Sequence, residues 1–311
     1  MTTKSKFTLT FMLFFLMLLQ TARSDELSDY NSCIKSNAPA ISRIEICKSI
    51  LQRDFLDNQD RSFAHHTIAE GYRIQGIPKQ AIEHFTQSID LNPNWSAGYI
   101  GRGMSLLSAG QPEPAAQDFS EAISISGPRA ALYSMRAASY LAMGRIDDGL
   151  ADFDYAITLE PSSSQHHANR SGARFLAGDY AGADEDARRA IELDAENGDA
   201  HKSLATLLSL SPEAFRDPES AIIHAEEAVR IRRSSSNVGI LAVALSAAGR
   251  INEGVGRFSS VFEMNPNVGA QYQAYLRFKG YYDGPINGMF SNDTEKAIRQ
   301  CFAENCRFMI N

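Results

Sequence analysis

Tryptophan occurs once in 311 residues, and the four cysteines are confined to the two ends: Cys33 and Cys47, then Cys301 and Cys306. No cysteine has a CxxC or CxxH neighbour, which removes the usual spacing of a zinc site. There is no Gly-x-Ser-x-Gly elbow, no HExxH and no phosphate-cradling Gly loop ahead of a helix, so the motif-bearing hydrolase, metalloprotease and nucleotide-binding classes have no foothold. No Lys/Arg run occurs and the formal net charge is -7, a field that repels nucleic acid. Low-complexity tracts are absent too. With 44% apolar and 22% charged residues, the composition is that of an ordinary folded chain.

A long apolar run occurs once, at 7–19, after Lys4 and Lys6 and ahead of Thr21-Ala22-Arg23-Ser24. A basic start, a short apolar stretch and small residues before a boundary form the layout of a secretory signal peptide, here 1–24 with cleavage after Ser24. Its 13 residues fall short of the ~20 that span a bilayer; an uncleaved anchor is the alternative. No Cys follows the boundary, which argues against a lipoprotein. Removal of 1–24 takes away Lys4, Lys6 and Arg23 and no acid, leaving 27 basic against 37 acidic residues, a net charge of -10. The chain is expected in the periplasm or outside the cell, with no stable membrane insertion once cleaved.

An even number of cysteines in an exported chain favours disulfides. The two local pairs, Cys33 with Cys47 and Cys301 with Cys306, are the favoured connectivity; free thiols are the alternative. A 301–306 bridge could not form inside one unbroken helix, because five residues of rise carry the Cα atoms to roughly 7.5 Å. Pairing there requires the helix to end between them.

What the sequence does have is a period. Gly76, Gly110, Gly144 and Gly178 stand 34 residues apart. Five residues after each comes a small residue (Ala81, Ala115, Gly149, Ala183), and four further on Phe85, Phe119, Phe153 and Ala187. The frame returns at Gly249, Gly254, Phe258 and Pro266. Each unit reads as two amphipathic helices with Gly at the turn, a small residue where the helices approach, and Phe filling the gap. One hairpin cannot bury its own apolar face, so the units must stack.

This pattern resembles the tetratricopeptide repeat (TPR), whose A-x3-F...P signature stands at 81–93. The resemblance implies an all-α, right-handed superhelical solenoid of about six hairpins: 62–95, 96–129, 130–163, 164–197, 198–234 and 235–268, the fifth carrying an insertion near Leu210–Glu213. It implies a non-catalytic scaffold for a protein or peptide partner, with a groove lined by the first helices; Ile100, Met104, Ser134, Ala138, Ala168 and Arg174 are the candidates by frame. The carboxylate clamp of some relatives is absent, since His66 and Glu70 stand where Lys and Asn are expected. Residues 25–61, with Leu27, Tyr30, Ile34, Ile41, Ile44 and Leu51, read as two short helices capping the array.

From Gly269 the period stops. Residues 273–302, with Gly280-Tyr281-Tyr282-Asp283-Gly284-Pro285-Ile286-Asn287-Gly288-Met289-Phe290, resemble half of a small peptidoglycan-binding domain, with departures at Asn287 and Ser291 and an early end. The resemblance implies a helix, a Gly-rich loop and a second helix capped near Ser291–Thr294. It offers Tyr281, Tyr282 and Asn287 as glycan contacts, although core packing is the plainer role for the two tyrosines. Peptidoglycan binding is thus one alternative function; a non-catalytic relative of exported hydrolases with the same tail is another. His65-His66 and His166-His167 fall at packing positions of units too far apart to share a metal. The run Asp184-Glu185-Asp186, with Arg188 and Arg189, reads as a solvated helix face. No catalytic residue, cofactor or metal site is expected.

Overall fold

A computed structural model describes residues 30–33, 39–53 and 56–304. The expected signal segment, Leu27, Ile34 and Cys306 lie outside these residues, as does the side chain of Ile41. All regular structure among the described residues is helical. After a helical turn at 30–33 come α1 (Ala40–Leu51), α2 (Asn58–Ile74), α3 (Pro78–Leu91), α4 (Ser96–Ser108), α5 (Pro112–Ser126), α6 (Ala130–Ala142), α7 (Ile146–Leu159), α8 (Ser164–Ala177), α9 (Tyr180–Leu193), α10 (Gly198–Leu210), α11 (Pro218–Ile231), α12 (Ser235–Ala247), α13 (Ile251–Met264), α14 (Pro266–Phe278) and α15 (Asn292–Ala303). Helices α2 to α13 occupy the six repeat units two by two. The insertion of the fifth unit forms a 3-10 turn at Glu213–Phe215. The chain divides into two compact units between Gly144 and Arg145.

The turn glycines behave as the period requires. Gly76, Gly110, Gly144, Gly178 and Gly249 have φ between 70 and 82°, a region closed to most side chains. Each of four is followed by a helix-closing bond from the next N–H back over the turn, as in Ile77 N–H to Tyr72 C=O at 2.9 Å and Asp179 N–H to Arg174 C=O at 2.9 Å, with Gly110 and Gly249 alike. Proline opens α3, α5, α11 and α14, where its missing N–H costs nothing. Pro266 therefore starts a helix that runs across the expected 268/269 boundary.

Ala81, Phe85, Ala115, Phe119, Ala183, Ala187 and Phe258 are fully buried. Room for the phenyl rings comes from glycines of α4, which packs on Phe85 of the hairpin before it and on Phe119 of its own. A Cβ on Gly101 would lie 2.3 Å from the Phe85 ring, and one on Gly103 2.8 Å from that of Phe119. An aromatic ring cannot flex away, so Gly101→Ala must push α4 off α3. We expect a loss of about 1–3 kcal/mol, read as a lower midpoint in denaturant; an unchanged midpoint would contradict this packing.

In the first unit Cys33, Ile44, Cys47, Ile50 and Leu56 pack on Ala64 and Ile68 of α2. Cys33 and Cys47 form a disulfide, Cα atoms 5.0 Å apart. Replacing both with serine should cost about 3 kcal/mol on the loop-entropy model and expose α2 first, visible as faster amide exchange there. In the second unit Cys301 is disulfide-bonded, and α15 ends at Ala303, between positions 301 and 306 as pairing there requires.

Candidate functional site

Within each unit the first helices of successive hairpins touch: α2 with α4 and α4 with α6, then α8 with α10 and α10 with α12. They form the inner layer on which a ligand surface would be built. Of the expected groove residues, Ile100, Met104 and Arg174 are half-buried and Ala138 is exposed. Two do not fit. Ala168 is 2% exposed and packs with Ala190 and Ala200, and Ser134 is also buried. Neither offers surface to a ligand; small residues at these positions serve the close approach of helices.

The inner layer carries a feature that residue-by-residue reading missed. Arg102, Arg136 and Arg170 recur at 34-residue spacing on first helices, and Asp118, Asp152 and Asp186 recur on second helices. Arg102 clamps Asp118 through Nε and Nη2, both at 2.8 Å, and its Nη1 donates to Thr86 Oγ1 of the preceding hairpin at 3.2 Å. Arg136 Nη1 donates to Ser120 Oγ at 3.1 Å. Arg170 clamps Asp186 at 2.8 and 2.7 Å and reaches Asp154 at 2.7 Å. Each guanidinium thus ties its own hairpin to the one before. The bidentate bonds hold the Arg102 and Arg170 pKa values above the ordinary arginine value.

Asp186 is a heavily used carboxylate. It is 2% exposed, and Arg174 Nη1 at 3.0 Å and His167 Nδ1 at 3.1 Å join the Arg170 clamp. The solvated-face reading therefore holds for Asp184, paired with half-exposed Arg188 at 2.8 Å, and fails for Asp186, which the helix turns inward. His166 and His167 are buried packing residues; His167 Nε2 lies 3.1 Å from Pro161 O. His66 packs against Phe85 and Trp95, and burial lowers its pKa.

Around the arginines stand tyrosines. The Arg102 guanidinium lies 5.7 Å from the Tyr99 ring centroid, and that of Arg136 lies 5.2 and 5.8 Å from Tyr133 and Tyr140. In the second unit a polar cavity of about 620 Å³ opens at the starts of α8 and α10, lined by Ser164, Gln165, Asn197, Asp199 and Arg232 among others. It sits at the hairpin ends, and Asp199 and Arg232 already pair across it at 2.7 Å. No group of three His, Cys, Asp or Glu suited to a metal occurs among the described residues.

In the C-terminal segment the fully buried Gln273 organises the loop. Its Oε1 accepts from Asn287 and Gly288 N–H at 2.9 and 2.8 Å, and its Nε2 donates to Met289 O at 2.9 Å and Thr294 Oγ1 at 3.2 Å. Ser291 caps α15 through Thr294 N–H, as the sequence leads one to expect. Tyr282 is 3% exposed and donates to Pro285 O at 2.9 Å, so it cannot stack on a sugar. Tyr281 and Asn287 remain at the surface, bonded to Glu304 and to Met289 N–H respectively.

No family model matches the chain, and no curated protein matches it. Solved structures do. The PilF protein of Pseudomonas aeruginosa superposes with a TM-score of 0.50 at 14% identity, over 72% of this chain and 98% of that one. The TPR-type hairpin array is the fold of this chain. TTC0263, a TPR protein of Thermus thermophilus, matches at TM-score 0.47 and 17% identity over 59% of this chain and 98% of its own. YrrB, a TPR protein with an unusual peptide-binding site, gives 0.45 and 15% over 60% and 92%. At 14% identity the likeness to PilF speaks for the fold alone.

Proposed function

We propose that the protein is an exported, non-catalytic TPR scaffold that holds an extended or helical segment of a partner protein on its first-helix layer. The observation that carries this reading is the row of half-buried Tyr99, Arg102, Tyr133, Arg136 and Tyr140 on successive first helices. Tyrosine and arginine are the residues that anchor protein interfaces, because they combine apolar area with fixed polar atoms. Export rests on the 1–24 layout and is supported by the Cys33–Cys47 disulfide, which oxidising compartments favour.

A photoreactive residue placed at Ile100 or Ala138 should crosslink one discrete protein in intact cells. The same probe at Ile223, 64% exposed on second helix α11, should not. Equal labelling from all three positions would sink the groove. N-terminal sequencing that finds the chain starting at Asp25 would bear out the cleavage, and a retained Met1 would refute it.

A further inference from the structure

The inner polar positions vary along the repeats in a way that sorts by charge. The first-helix position holds His65, Tyr99, Tyr133, His167 and His201; its second-helix counterpart holds His84, Asp118, Asp152, Asp186 and, after four inserted residues, His224. Three residues beyond the first position stand Ile68, Arg102, Arg136, Arg170 and Leu204. Arginine is present wherever the counterpart is an aspartate, and an apolar residue wherever it is a histidine. The first and fifth hairpins therefore hold His–His pairs with no guanidinium beside them in register, one pair in each compact unit.

Both pairs have the same geometry. Nδ1 faces Nδ1 at 3.0 Å in His65–His84 and in His201–His224, with ring centroids 5.3 and 5.2 Å apart. That centroid separation is what results when the two nitrogens point straight at each other, the arrangement of a linear N–H···N bond. Two imidazoles converging on one metal ion would tilt together and bring the centroids closer, so a shared proton is the better account. In the second pair the proton can be assigned. His201 Nε2 donates to Ala195 O at 3.1 Å, which leaves its Nδ1 as the acceptor and makes His224 Nδ1–H the donor.

We infer that each His–His pair is a proton-operated latch between the two helices of its hairpin, closed while one proton is shared and opened when acid puts a hydrogen on both facing nitrogens. His201 can gain a proton only at the nitrogen already accepting the bond. A first proton at the outer Nε2 of His224 keeps the bond; a proton at His201 Nδ1 as well puts hydrogens on both facing nitrogens and positive charge on both rings, one of them buried and the other half-buried. Where His167 stands in the same register, Asp186 accepts instead, so the fourth hairpin has no such conflict.

The surroundings act in both directions. The first pair has Arg61 of α2 and Lys48 of α1 against further charge and Glu83 of α3 in its favour; Gln87 bonds His84, and Tyr72 stacks on it. The second pair has Arg188 of α9 against and Glu227 of α11 in favour. Burial and then His84 push His65 down to about 4, and burial and then His201 lower His224. An unfolded histidine takes its proton near pH 6.5. Below that value the open state binds more protons than the closed one, so stability falls with falling pH down to the folded pKa and then levels off.

Hydrogen exchange of the chain from Asp25 tests this, compared at about pH 7.5 and about pH 4.5 after correction for the intrinsic rates. Protection across 58–91 and 198–231 should drop about tenfold or more while 96–126 keeps its protection. In His224→Asn, whose amide replaces the facing nitrogen without a second titrating ring, the drop should vanish from 198–231 and persist in 58–91. A uniform loss along the array, or an unchanged drop in the variant, overturns the latch. Should that variant fail to fold, imidazole nitrogen NMR of the unaltered chain decides. His224 titrating below the free value, in step with the lost protection, supports the latch. His224 titrating at the free value with protection intact refutes it.

Discussion

Gln273→Ala should release the loop from Lys279 to Ser291 and cost at least ~3 kcal/mol of the stability of the C-terminal segment. The side chain has no exposed surface, yet it satisfies two backbone N–H groups and one carbonyl of a loop that has no helix or strand of its own. Truncation leaves those groups without their partner, and each one left unsatisfied costs about 1–3 kcal/mol. The loop cannot simply shift to find other partners. Gly288 has φ of 71°, and a Cβ there would sit 2.0 Å from Pro266 O, so the chain is pinned against the start of α14. Gln273→Glu sharpens the test: the carboxylate still accepts from Asn287 and Gly288 but cannot donate to Met289 O, and burying its charge adds to the penalty. Limited proteolysis should cut both variants within 279–291 while the parent resists. If the loop stays protected in both, Gln273 is not its organiser.

The loop shows where a sequence is mute. The Gly-Tyr-Tyr and Asn-Gly signals mark a turn-rich stretch, and Ser291 announces a helix start, because these depend on local backbone chemistry. Nothing local distinguishes Gln273, which is buried, from Gln271, which is exposed. The same holds in the array. Turn glycines and the Ala–Phe spacing are legible because the turn needs a positive φ and the helices need a fixed gap. Gly98, Gly101 and Gly103 look like helix weaknesses until the Phe85 and Phe119 rings are seen against two of them. The candidate groove was legible only as a helix face: frame counting put Ile100, Met104, Ala138 and Arg174 at or near the surface, but Ser134 and Ala168 turn inward. One further signal was available and is strong in hindsight. The same 34-residue period that located the hairpins also carries Arg102, Arg136 and Arg170, together with Asp118, Asp152 and Asp186. Charge recurring in register with a buried frame marks an internal ion-pair ladder, whereas charge clustered in sequence, as at Asp184-Glu185-Asp186, says little about which member is inside.

Asp186→Ala should therefore destabilise the second unit by about 3–5 kcal/mol, while Asp184→Ala, two residues away, should cost no more than ~0.5 kcal/mol. The contrast follows from burial. Asp184 meets an Arg188 whose side chain is 56% exposed, and water replaces the partner when it is lost. Asp186 is enclosed, and its removal leaves Arg170 and Arg174, with side chains 15% and 24% exposed, next to each other and to His167 without the carboxylate that balances them. Arg170 keeps Asp154, whose side chain is 59% exposed, and that contact softens the loss only in part. Asp186→Asn separates charge from hydrogen bonding: the amide keeps one acceptor but presents an N–H to a guanidinium, so most of the penalty should remain. Restoring the balance is the stronger test. Arg170→Leu combined with Asp186→Ala removes charge from both sides, and since buried ion pairs are often no better than apolar packing of similar volume, the double variant should be more stable than Asp186→Ala alone. Urea denaturation of the parent, the three single variants and the double variant reads all of this. A double variant that is less stable than Asp186→Ala would mean that the ladder contributes through its hydrogen bonds to the neighbouring hairpin rather than through charge balance.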